Sequence, residues 1–271
     1  MHGRVLIVAG SDSGGGAGIQ ADIKAVTALG GFAATAITAL TAQNTLGVEA
    51  VHGVPPDFIA RQMRVVLDDI GADCVKTGML HTAEVIATVA DALARHAAGV
   101  PLVVDPVMVA KGGAKLLDDD AHAALAARLV ARAAVVTPNA PEAAALTGIA
   151  VEDEAGQVAA GKALVAMGAA AALVKGGHLD GPDVVDLLVT RVGIVRFADA
   201  RLATRHTHGT GCTLASAIAA GIAQGLAVER AVARARAYVR AAIAAAPGYG
   251  KGHGPLDHGV TVRPFTGDGV R

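Results

Sequence analysis

Short apolar runs rich in β-branched residues alternate along the chain with longer stretches in which Ala and Leu recur at helical spacing. The short runs predict eight β-strands, at residues 5–9, 33–40, 73–77, 102–105, 134–137, 171–175, 184–189 and 194–198. The longer stretches predict helices that include residues 56–70, 83–96, 121–132, 156–167, 212–224 and 229–246. Near-continuous apolar strands separated by amphipathic helices are typical of a parallel sheet that is covered on both faces, so the pattern predicts an α/β fold.

Composition favours one large domain with a small-molecule partner. The chain has 271 residues, 53% of them hydrophobic and 17% charged, and we find no linker or charge block, so we predict a single domain over residues 1–271. The 23 Lys and Arg balance the 24 Asp and Glu, which leaves no electrostatic footprint for nucleic acid or an anionic membrane. Aromatic residues are scarce, with no Trp, two Tyr and four Phe, which argues against base stacking.

Cys74 and Cys212 are the two cysteines, and they give neither a disulfide framework nor metal-ligand spacing. That count suits a reducing cytoplasm. The apolar run at residues 5–9 is too short for a signal peptide and soon meets Asp12. The apolar stretch after Cys212 contains Ser216 and lacks interfacial aromatics, so it predicts a buried helix rather than a membrane span.

Polar and glycine residues cluster where the predicted strands end. They occur in the segments GSD (10–12), TAQN (41–44), GM (78–79), DPVM (105–108), PN (138–139) and KGGH (175–178). Because open α/β sheets bind ligands at the carboxyl ends of their strands, this clustering predicts a site at that edge.

The segment AGSDSGGGAGIQADIK, residues 9–24, follows a strand and opens a helix. Part of it fits the dinucleotide pattern G-x-G-x-x-A, but the second strand ends in TAQN, without the acidic residue that would hold a ribose. No glycine loop ends in Lys-Ser or Lys-Thr, which excludes a P-loop. A tight turn is the structural alternative, while Asp12 and Asp22 favour a small hydrogen-bonding ligand.

The segment HGTGCTLASAIAAG, residues 208–221, runs from a glycine turn into a helix of small residues. Gly209 and Gly211 leave backbone N–H groups uncovered at the positive end of that helix, which predicts an anion site. Above a phosphoryl group in transfer, the same donors would stabilise the developing charge. The alternative is a glycine-rich helix cap without a ligand.

Seven segments together resemble one known family. AGSDSGGGAGIQADIK, ITALTAQNTLGV, KTGML, DPVMVAKGG, TPNAPEAAALTG, VKGGH and THGTGCT occur in that order. They are similar to the bacterial hydroxymethylpyrimidine/phosphomethylpyrimidine kinases, the thiamin-pathway members of the ribokinase superfamily, over about residues 4–259. The resemblance implies a ribokinase-like three-layer α/β/α sandwich with a mostly parallel central sheet, and a homodimer.

The resemblance also implies an activity and its site. The implied enzyme would use MgATP to phosphorylate 4-amino-5-hydroxymethyl-2-methylpyrimidine and then its monophosphate. The residues implied in binding the pyrimidine are Gln43, Asp22, Gly10, Met79 and Val107. Those implied on the ATP side are Asn139, Lys175, Gly177, Thr207, Gly209, Thr210 and Gly211. Asp105 and Glu142 are implied around Mg²⁺, and phosphoryl transfer does require a lysine, N–H donors and metal-organising carboxylates.

Cys212 is predicted to be the general base for the hydroxymethyl group, within a catalytic set that also holds Lys175, Gly209 and Gly211. Sugar kinases of the superfamily carry an aspartate at this place, in a G-A-G-D turn. A thiol at a helix N-terminus is expected to have a lowered pKa. The monophosphate is already anionic and needs no base. The alternative is that Cys212 only packs while the N–H donors act.

Two departures from the family bear on these expectations. Residues 110–115 read AKGGAK where many relatives read A-K-S-G-D, which puts in doubt the closure of that loop over substrate. Ser13 stands where proline is common. Asp105 could instead cap a turn with Pro106, and Lys175 could be an ordinary strand-end lysine.

Three other functions stay open at this stage: a pyridoxal or pyridoxine kinase, a non-catalytic pyrimidine-binding protein, and a dehydrogenase. Gln43 and Met79 favour the pyrimidine. His206 and His208 form an H-x-H pair without a third nearby ligand, which is weak support for a metal.

Overall fold

One sheet connects all the strands in the described part of the chain. The computed structural model describes residues 2–109, 113, 116–118, 121–263 and 266. The strands are β1 (Arg4–Asp12), β2 (Phe32–Gln43), β3 (Val48–Gly53), β4 (Cys74–Thr77), β5 (Leu102–Val104), β6 (Val135–Val136), β7 (Ala171–Val174), β8 (Asp183–Thr190) and β9 (Ile194–Ala200). Their order is β3-β2-β1-β4-β5-β6-β7-β8-β9. The strands from β2 to β7 in this order are parallel neighbours, while β3, β8 and β9 are antiparallel additions at the edges.

Helices cover both faces of this sheet. They are α1 (Gly18–Ala28), α2 (Pro56–Asp69), α3 (Ala83–His96), α4 (Ala121–Arg128), α5 (Ala140–Thr147), α6 (Glu154–Ala166), α7 (Thr210–Ala223) and α8 (Val228–Ala244). Helices α1, α7 and α8 share one apolar core with the sheet, and α2 to α6 share the other. Within the described ranges, no helix has the length and apolarity that a membrane crossing requires.

The two cores explain why the strands read as continuous apolar runs. Along β1, Leu6 and Val8 belong to one core, whereas Val5, Ile7 and Ala9 belong to the other. Successive side chains of a strand point to opposite faces, so a strand buried on both sides needs no polar position. The predicted three-layer α/β/α sandwich with a mostly parallel sheet is confirmed.

The structure differs from the sequence prediction mainly at the edge of the sheet. All eight predicted strands are present, but β3 is absent from the prediction because its sequence, VEAVHG, lies almost wholly exposed. The helix predicted at 121–132 ends at Arg128 and is followed by a 3₁₀ turn, Val130–Arg132. The departure at residues 110–115 lies, apart from Gly113, outside the described residues.

The strand order places a crevice beside β1. β1 lies between β2 and β4 in the sheet. The strands that follow β1 directly, β2 and β3, therefore lie on one side of it, and the strands from β4 onwards lie on the other side. Ligands of open α/β sheets bind at such a switch point, outside the carboxyl ends of the strands. At that edge lie Asp12, which ends β1, and Thr77, which ends β4, together with Asp105 and Lys175 just beyond β5 and β7.

Candidate active site

A buried lysine and two carboxylates meet at the carboxyl edge of the sheet. Lys175 Nζ lies 3.4 Å from Asp105 Oδ1 and 3.9 Å from Glu142 Oε2. Burial would lower the pKa of Lys175, but the two carboxylates raise it, so the amine stays charged. Burial raises the pKa of Glu142 to about 7 against the attraction of Lys175. A single ammonium therefore faces two acidic side chains, of which Glu142 is only partly ionised near neutral pH.

One oxygen of this cluster has no partner among the described residues. Asp105 is 2% exposed, and its Oδ2 accepts no hydrogen bond there, although Thr137 Oγ1 donates to Oδ1 at 3.3 Å. An unpaired buried carboxylate oxygen is costly unless a ligand or ion completes it. No three His, Cys, Asp or Glu side chains in the described ranges form a metal cage. Mg²⁺ commonly takes one or two carboxylates and completes its shell with water and substrate phosphates, so the donor set fits that ion.

The N-terminus of α7 faces this cluster through its glycines. Gly209 caps the helix in the left-handed conformation, with φ 81°, and a Cβ there would collide with the carbonyl oxygen of Gly16. A Cβ on Gly211 would lie 3.3 Å from Lys175 Nζ and 3.9 Å from Asp105 Oδ2. The first turn of α7 and the Lys175 amine thus lie side by side, and together they supply the N–H groups and the positive charge that an anion site requires.

Cys212 lies in the first turn of α7, but its pKa shifts opposite to the expected direction. Burial raises the pKa of the thiol to about 12, although Lys76 acts to lower it. The expectation of a lowered pKa is therefore wrong. The helix N-terminus favours the thiolate, but the loss of water around the sulfur outweighs it.

Asp22, which the resemblance implies in substrate binding, lies in a buried ion pair. Its side chain is 0% exposed, and both carboxylate oxygens lie 2.9 Å from Lys76 Nζ. Ser216 Oγ, from α7, donates to Asp22 Oδ1 at 2.7 Å. Asp22 therefore fixes a buried lysine between β4, α1 and α7, and its role in substrate binding stays a prediction. Burial would lower the pKa of Lys76, but Asp22 and its other acidic neighbours raise it, so the amine is charged. Burial raises the pKa of Asp22, against the attraction of Lys76 and the hydrogen bond from Ser216.

Three residues implied in pyrimidine binding do come together. Met79 belongs to a small apolar cluster with Ala39 and Leu116, and Val107 packs against it. A Cβ on Gly10 would lie 3.0 Å from Met79 Sδ, so the glycine allows the close approach of β1 to this cluster. Apolar walls with few polar groups are typical of small-molecule pockets.

Gln43 lies at the end of β2 beside the glycine-rich loop. Its backbone N–H donates to Ser13 Oγ at 2.9 Å, and its carbonyl accepts from the same hydroxyl at 2.8 Å. Its amide nitrogen lies 3.4 Å from His208 Nε2. His208 in turn lies 2.8 Å from Asp12 Oδ2. Neither Asp12 nor His208 is in the set of site residues predicted from the sequence, although both stand inside the motifs that carry the resemblance.

The other residues implied on the ATP side have local contacts of their own. Asn139 caps α5, because its Oδ1 accepts from Glu142 N–H at 2.9 Å while Glu142 Oε2 accepts from Asn139 N–H at 2.8 Å. Thr210 Oγ1 donates to the Thr207 carbonyl at 2.8 Å. Gly177 is exposed, and its carbonyl accepts from Arg201 Nη1 at 3.1 Å. These contacts leave the ATP roles of the four residues as predictions.

Comparison with known proteins gives a consistent result over nearly the whole chain. Residues 12–257 match the family model described as Phosphomethylpyrimidine kinase. The chain is 52% identical over 257 residues to the Thiamine biosynthesis bifunctional protein ThiED of Geobacter sulfurreducens, covering 95% of this chain and 52%, about half, of that protein. It is 51% identical over 255 residues to the Hydroxymethylpyrimidine/phosphomethylpyrimidine kinase of Streptomyces coelicolor, covering 94% of each.

Solved structures show the same architecture. An ADP complex of Bacillus subtilis pyridoxal kinase superposes with a TM-score of 0.89 at 33% identity, covering 96% of this chain and 98% of that one. The phosphomethylpyrimidine kinase from Clostridium difficile superposes with a TM-score of 0.78 at 38% identity, covering 88% and 97%. The ribokinase-like form of the sandwich is thereby confirmed.

Proposed function

The chain belongs to the phosphomethylpyrimidine kinase family and is a phosphotransferase, and on that premise we propose its substrates. It transfers a phosphoryl group from ATP to the hydroxymethyl group of 4-amino-5-hydroxymethyl-2-methylpyrimidine, and then to the resulting monophosphate, in thiamin biosynthesis. One observation carries the proposal. The charged amine of Lys175 lies beside the first turn of α7, as the contacts around Gly211 indicate.

The phosphate side of the site follows from these donors. Phosphoryl transfer spreads charge over the equatorial oxygens of the group in flight, so catalysis depends on positioning and on fixed positive charge. Lys175 supplies that charge, and the N–H groups at Gly211 and Cys212 supply dipoles that need no reorganisation during the reaction. Asp105 and Glu142 would hold Mg²⁺, which neutralises phosphate charge when it is bound.

The acceptor side uses the apolar cluster and Gln43. Met79 and Val107 form a wall against which a flat ring can pack, and Gly10 allows β1 to approach Met79 closely. The amide of Gln43 can both donate and accept, which suits the edge of an aminopyrimidine. Cys212 is proposed to take the proton from the hydroxymethyl group, with Lys76 as the cation that favours its thiolate.

A pyridoxal kinase is the second candidate, because solved pyridoxal kinases superpose closely on this chain. The identity to those structures is 33%, against 51% to the curated pyrimidine kinase of Streptomyces coelicolor. The pyrimidine is therefore the better supported substrate.

The test is a side-by-side assay of the purified chain with MgATP and three acceptors: the hydroxymethylpyrimidine, its monophosphate and pyridoxal. We expect both pyrimidines to be phosphorylated, with a kcat/KM at least about tenfold above that for pyridoxal. Lys175→Ala should depress both pyrimidine reactions together. A preference for pyridoxal would establish the second candidate, and pyrimidine binding without any product would establish a binding protein.

A homodimer is the proposed assembly. Large apolar side chains stand exposed on the β2–β3 edge and on α2, namely Leu40, Leu46, Val51, Phe58 and Val65. Apolar surface of this kind marks contact surfaces when it is contiguous. Light scattering on the purified chain measures the assembly directly, and a monomeric mass across micromolar concentrations would exclude the dimer.

A further inference from the structure

Asp12 accepts hydrogen bonds from four donors. Its Oδ1 accepts from the N–H of Gly14 at 2.8 Å, and its Oδ2 accepts from those of Gly16 at 3.1 Å and Ala17 at 2.8 Å. His208 Nε2 lies 2.8 Å from the same Oδ2. A carboxylate that accepts three backbone N–H groups is ionised and has no proton to give, so His208 has to be the donor. The Nε2 atom of His208 therefore carries a proton.

That proton decides how the neighbouring amide can be oriented. With the Gln43 amide nitrogen 3.4 Å from His208 Nε2, two N–H donors face each other. Rotating the amide by 180° makes its oxygen a second acceptor for the His208 proton. The NH₂ group of Gln43 then takes the position 3.2 Å from Thr41 Oγ1 and donates to that oxygen. Thr41 Oγ1 in turn donates its own proton to the Ser11 carbonyl at 2.9 Å. An amide is assigned from its network in this way, and only the rotated orientation avoids two N–H donors that face each other.

The rotated amide presents a fixed pair of groups to a ligand. One lone pair of Gln43 Oε1 and one N–H remain unused by the protein. A 4-aminopyrimidine offers the matching pair, because its exocyclic amino group donates and the adjacent ring nitrogen accepts. The ring nitrogen of pyridoxal has no amino group beside it, so pairing with that nitrogen would leave the second lone pair of Gln43 Oε1 without a donor, and a site built to hydrogen-bond a substrate rejects such analogues.

The histidine is held in place from two sides. It is 6% exposed, and its backbone N–H donates to the Gly254 carbonyl at 3.1 Å. It directly precedes Gly209, which abuts Gly16 in the glycine-rich loop. The backbone of His208 is therefore fixed between the C-terminal segment and the glycine-rich loop, and the hydrogen bond to Asp12 orients its imidazole.

We propose that His208, oriented by Asp12, is a positioning residue that sets the direction of the Gln43 amide and thereby selects aminopyrimidines over pyridines. The proposal rests on the proposed function, since the aminopyrimidine is the substrate assigned there. His208 acts through Gln43 rather than on the reacting atoms.

The first experiment compares His208→Leu, which removes the donor, with His208→Gln, whose amide can still donate to Asp12. For His208→Leu we expect the KM for the hydroxymethylpyrimidine to rise about tenfold, the scale of one lost hydrogen bond, while the KM for ATP changes less than about twofold. The preference over pyridoxal should fall by a similar factor. His208→Gln should recover most of both effects. Equal losses for the pyrimidine and ATP, or no recovery in His208→Gln, would overturn the proposal.

A double-mutant cycle with Gln43→Ala tests whether His208 acts through that amide. If it does, adding His208→Leu to Gln43→Ala should raise the pyrimidine KM less than about twofold further. Losses that multiply in full would show that the two residues act independently. The matched control is His96→Leu, because His96 Nδ1 pairs with Asp68 Oδ1 at 3.0 Å in the helical layer, remote in sequence from every site motif. Its kinetic constants should equal those of the unmodified chain.

A second measurement needs neither a variant protein to be active nor a substrate. The ¹⁵N chemical shifts of the imidazole, assigned by the signal that disappears in His208→Gln, report which ring nitrogen carries a proton. We expect a protonated Nε2, and an unprotonated Nε2 would overturn the proposal. If the unmodified chain fails to phosphorylate the pyrimidine while Nε2 is protonated, the proposed function fails and the Asp12–His208 pairing stands.

Discussion

Cys212 lies between two opposing influences on its charge. The N-terminus of α7 and the cation of Lys76 favour the thiolate, whereas removal from water favours the neutral thiol. Burial raises its pKa to about 12, so the thiol is protonated near neutral pH. A base with such a pKa is strong once ionised, but only a small fraction of it is ionised at any moment.

This balance gives the proposed base role a pH signature. Below the pKa of about 12, the thiolate fraction rises tenfold for each pH unit. If Cys212 takes the proton, kcat for the hydroxymethyl step should rise with nearly that slope between about pH 6 and 9, whereas the monophosphate step should not. In Cys212→Ala the slope should vanish and the first step should slow by about 10²–10⁴, with the second step affected far less.

The measurement is a pair of pH–rate profiles for the two acceptors, in the unmodified chain and in Cys212→Ala. Cys74→Ala is the matched control, because that thiol is buried in β4 and belongs to the apolar core on the face of α1, α7 and α8. Profiles that are flat for both steps, or that shift together in Cys212→Ala, would rule out the base role and leave Cys212 as a packing residue.

The sequence predicts the position of a site residue well when a local motif contains it, and poorly when its partner is distant in sequence. Lys175, Asp105 and Gly211 are recognisable because each stands at a strand or helix end inside a motif. Lys76 shows a weaker signal, a single lysine inside the apolar strand CVKT. Its partner Asp22 lies 54 positions earlier in the chain, and no spacing rule relates the two, so only the packing of α1 on the sheet reveals the ion pair.

At the scale of elements, burial decides what the sequence reveals. Strands β4 and β7 are buried along their whole length, and their uninterrupted apolar runs predict them correctly. β3 lies at the edge and pairs on one side with β2, so its residues carry no apolar pattern. α5 has eight residues, and the N-x-x-E segment that suggests a metal element is also its capping box. The capping box is observed, whereas the metal role of Glu142, which lies 3.9 Å from Lys175, stays a prediction.

The first turn of α7 offers an element-scale prediction. A methyl group on Gly211 would occupy the space between the helix cap and Lys175 Nζ, 3.3 Å from the amine. Gly211 has an ordinary backbone conformation, so Gly211→Ala should fold with an unfolding free energy close to that of the unmodified chain. We expect kcat to fall by about 10² for both acceptors, the scale of one lost anion-stabilising donor.

Steady-state kinetics and thermal unfolding on the same samples test this prediction. Gly193→Ala is the control, because that glycine has no positive φ and no atom within 4 Å of a Cβ position, and it lies in the β8–β9 turn. Unchanged rates in Gly211→Ala would show that the phosphates bind away from the α7 cap.

At the scale of the whole molecule, the C-terminal segment connects parts of the site that are distant in sequence. His253 N–H donates to the Thr45 carbonyl at 2.9 Å, just beyond β2, and the Gly254 carbonyl accepts from His208. Asp257 N–H donates to the Ala242 carbonyl of α8 at 3.0 Å. From its glycines and prolines alone, the segment predicts only an ordered or partly frayed tail, since each of these bonds depends on a tertiary contact.

His258 anchors this segment and makes its attachment sensitive to acid. The residue is 5% exposed and shares a hydrogen bond of 2.9 Å with Thr213 of α7, while Tyr238 Oη donates to its carbonyl at 2.8 Å. Burial, with a smaller effect from Lys24, lowers the pKa of His258 to about 4 from the usual 6.5. The imidazole is therefore neutral in the folded chain over a range in which the unfolded chain is protonated.

The sign of the pH dependence follows from that difference. Above about pH 6.5 the group is neutral in both states and its full contribution to stability is present. As the pH falls from about 6.5 towards 4, the unfolded chain binds a proton that the folded chain does not, so the free energy of unfolding decreases. One pKa unit corresponds to about 1.4 kcal/mol, so the loss at pH 4 should be about 2–3 kcal/mol.

Urea unfolding of the unmodified chain and of His258→Asn, at several pH values between 7 and 4, measures the contribution of His258 protonation to the free energy of unfolding. Asparagine can keep a hydrogen bond to Thr213 but does not titrate in this range, so the variant should lose less stability on acidification, by about 2–3 kcal/mol. Carboxylates that titrate in both proteins cancel in the difference. His52→Asn, at an exposed position on β3, should leave the pH dependence unchanged. Parallel curves for the unmodified chain and His258→Asn would mean that His258 is as readily protonated in the folded chain as in the unfolded one.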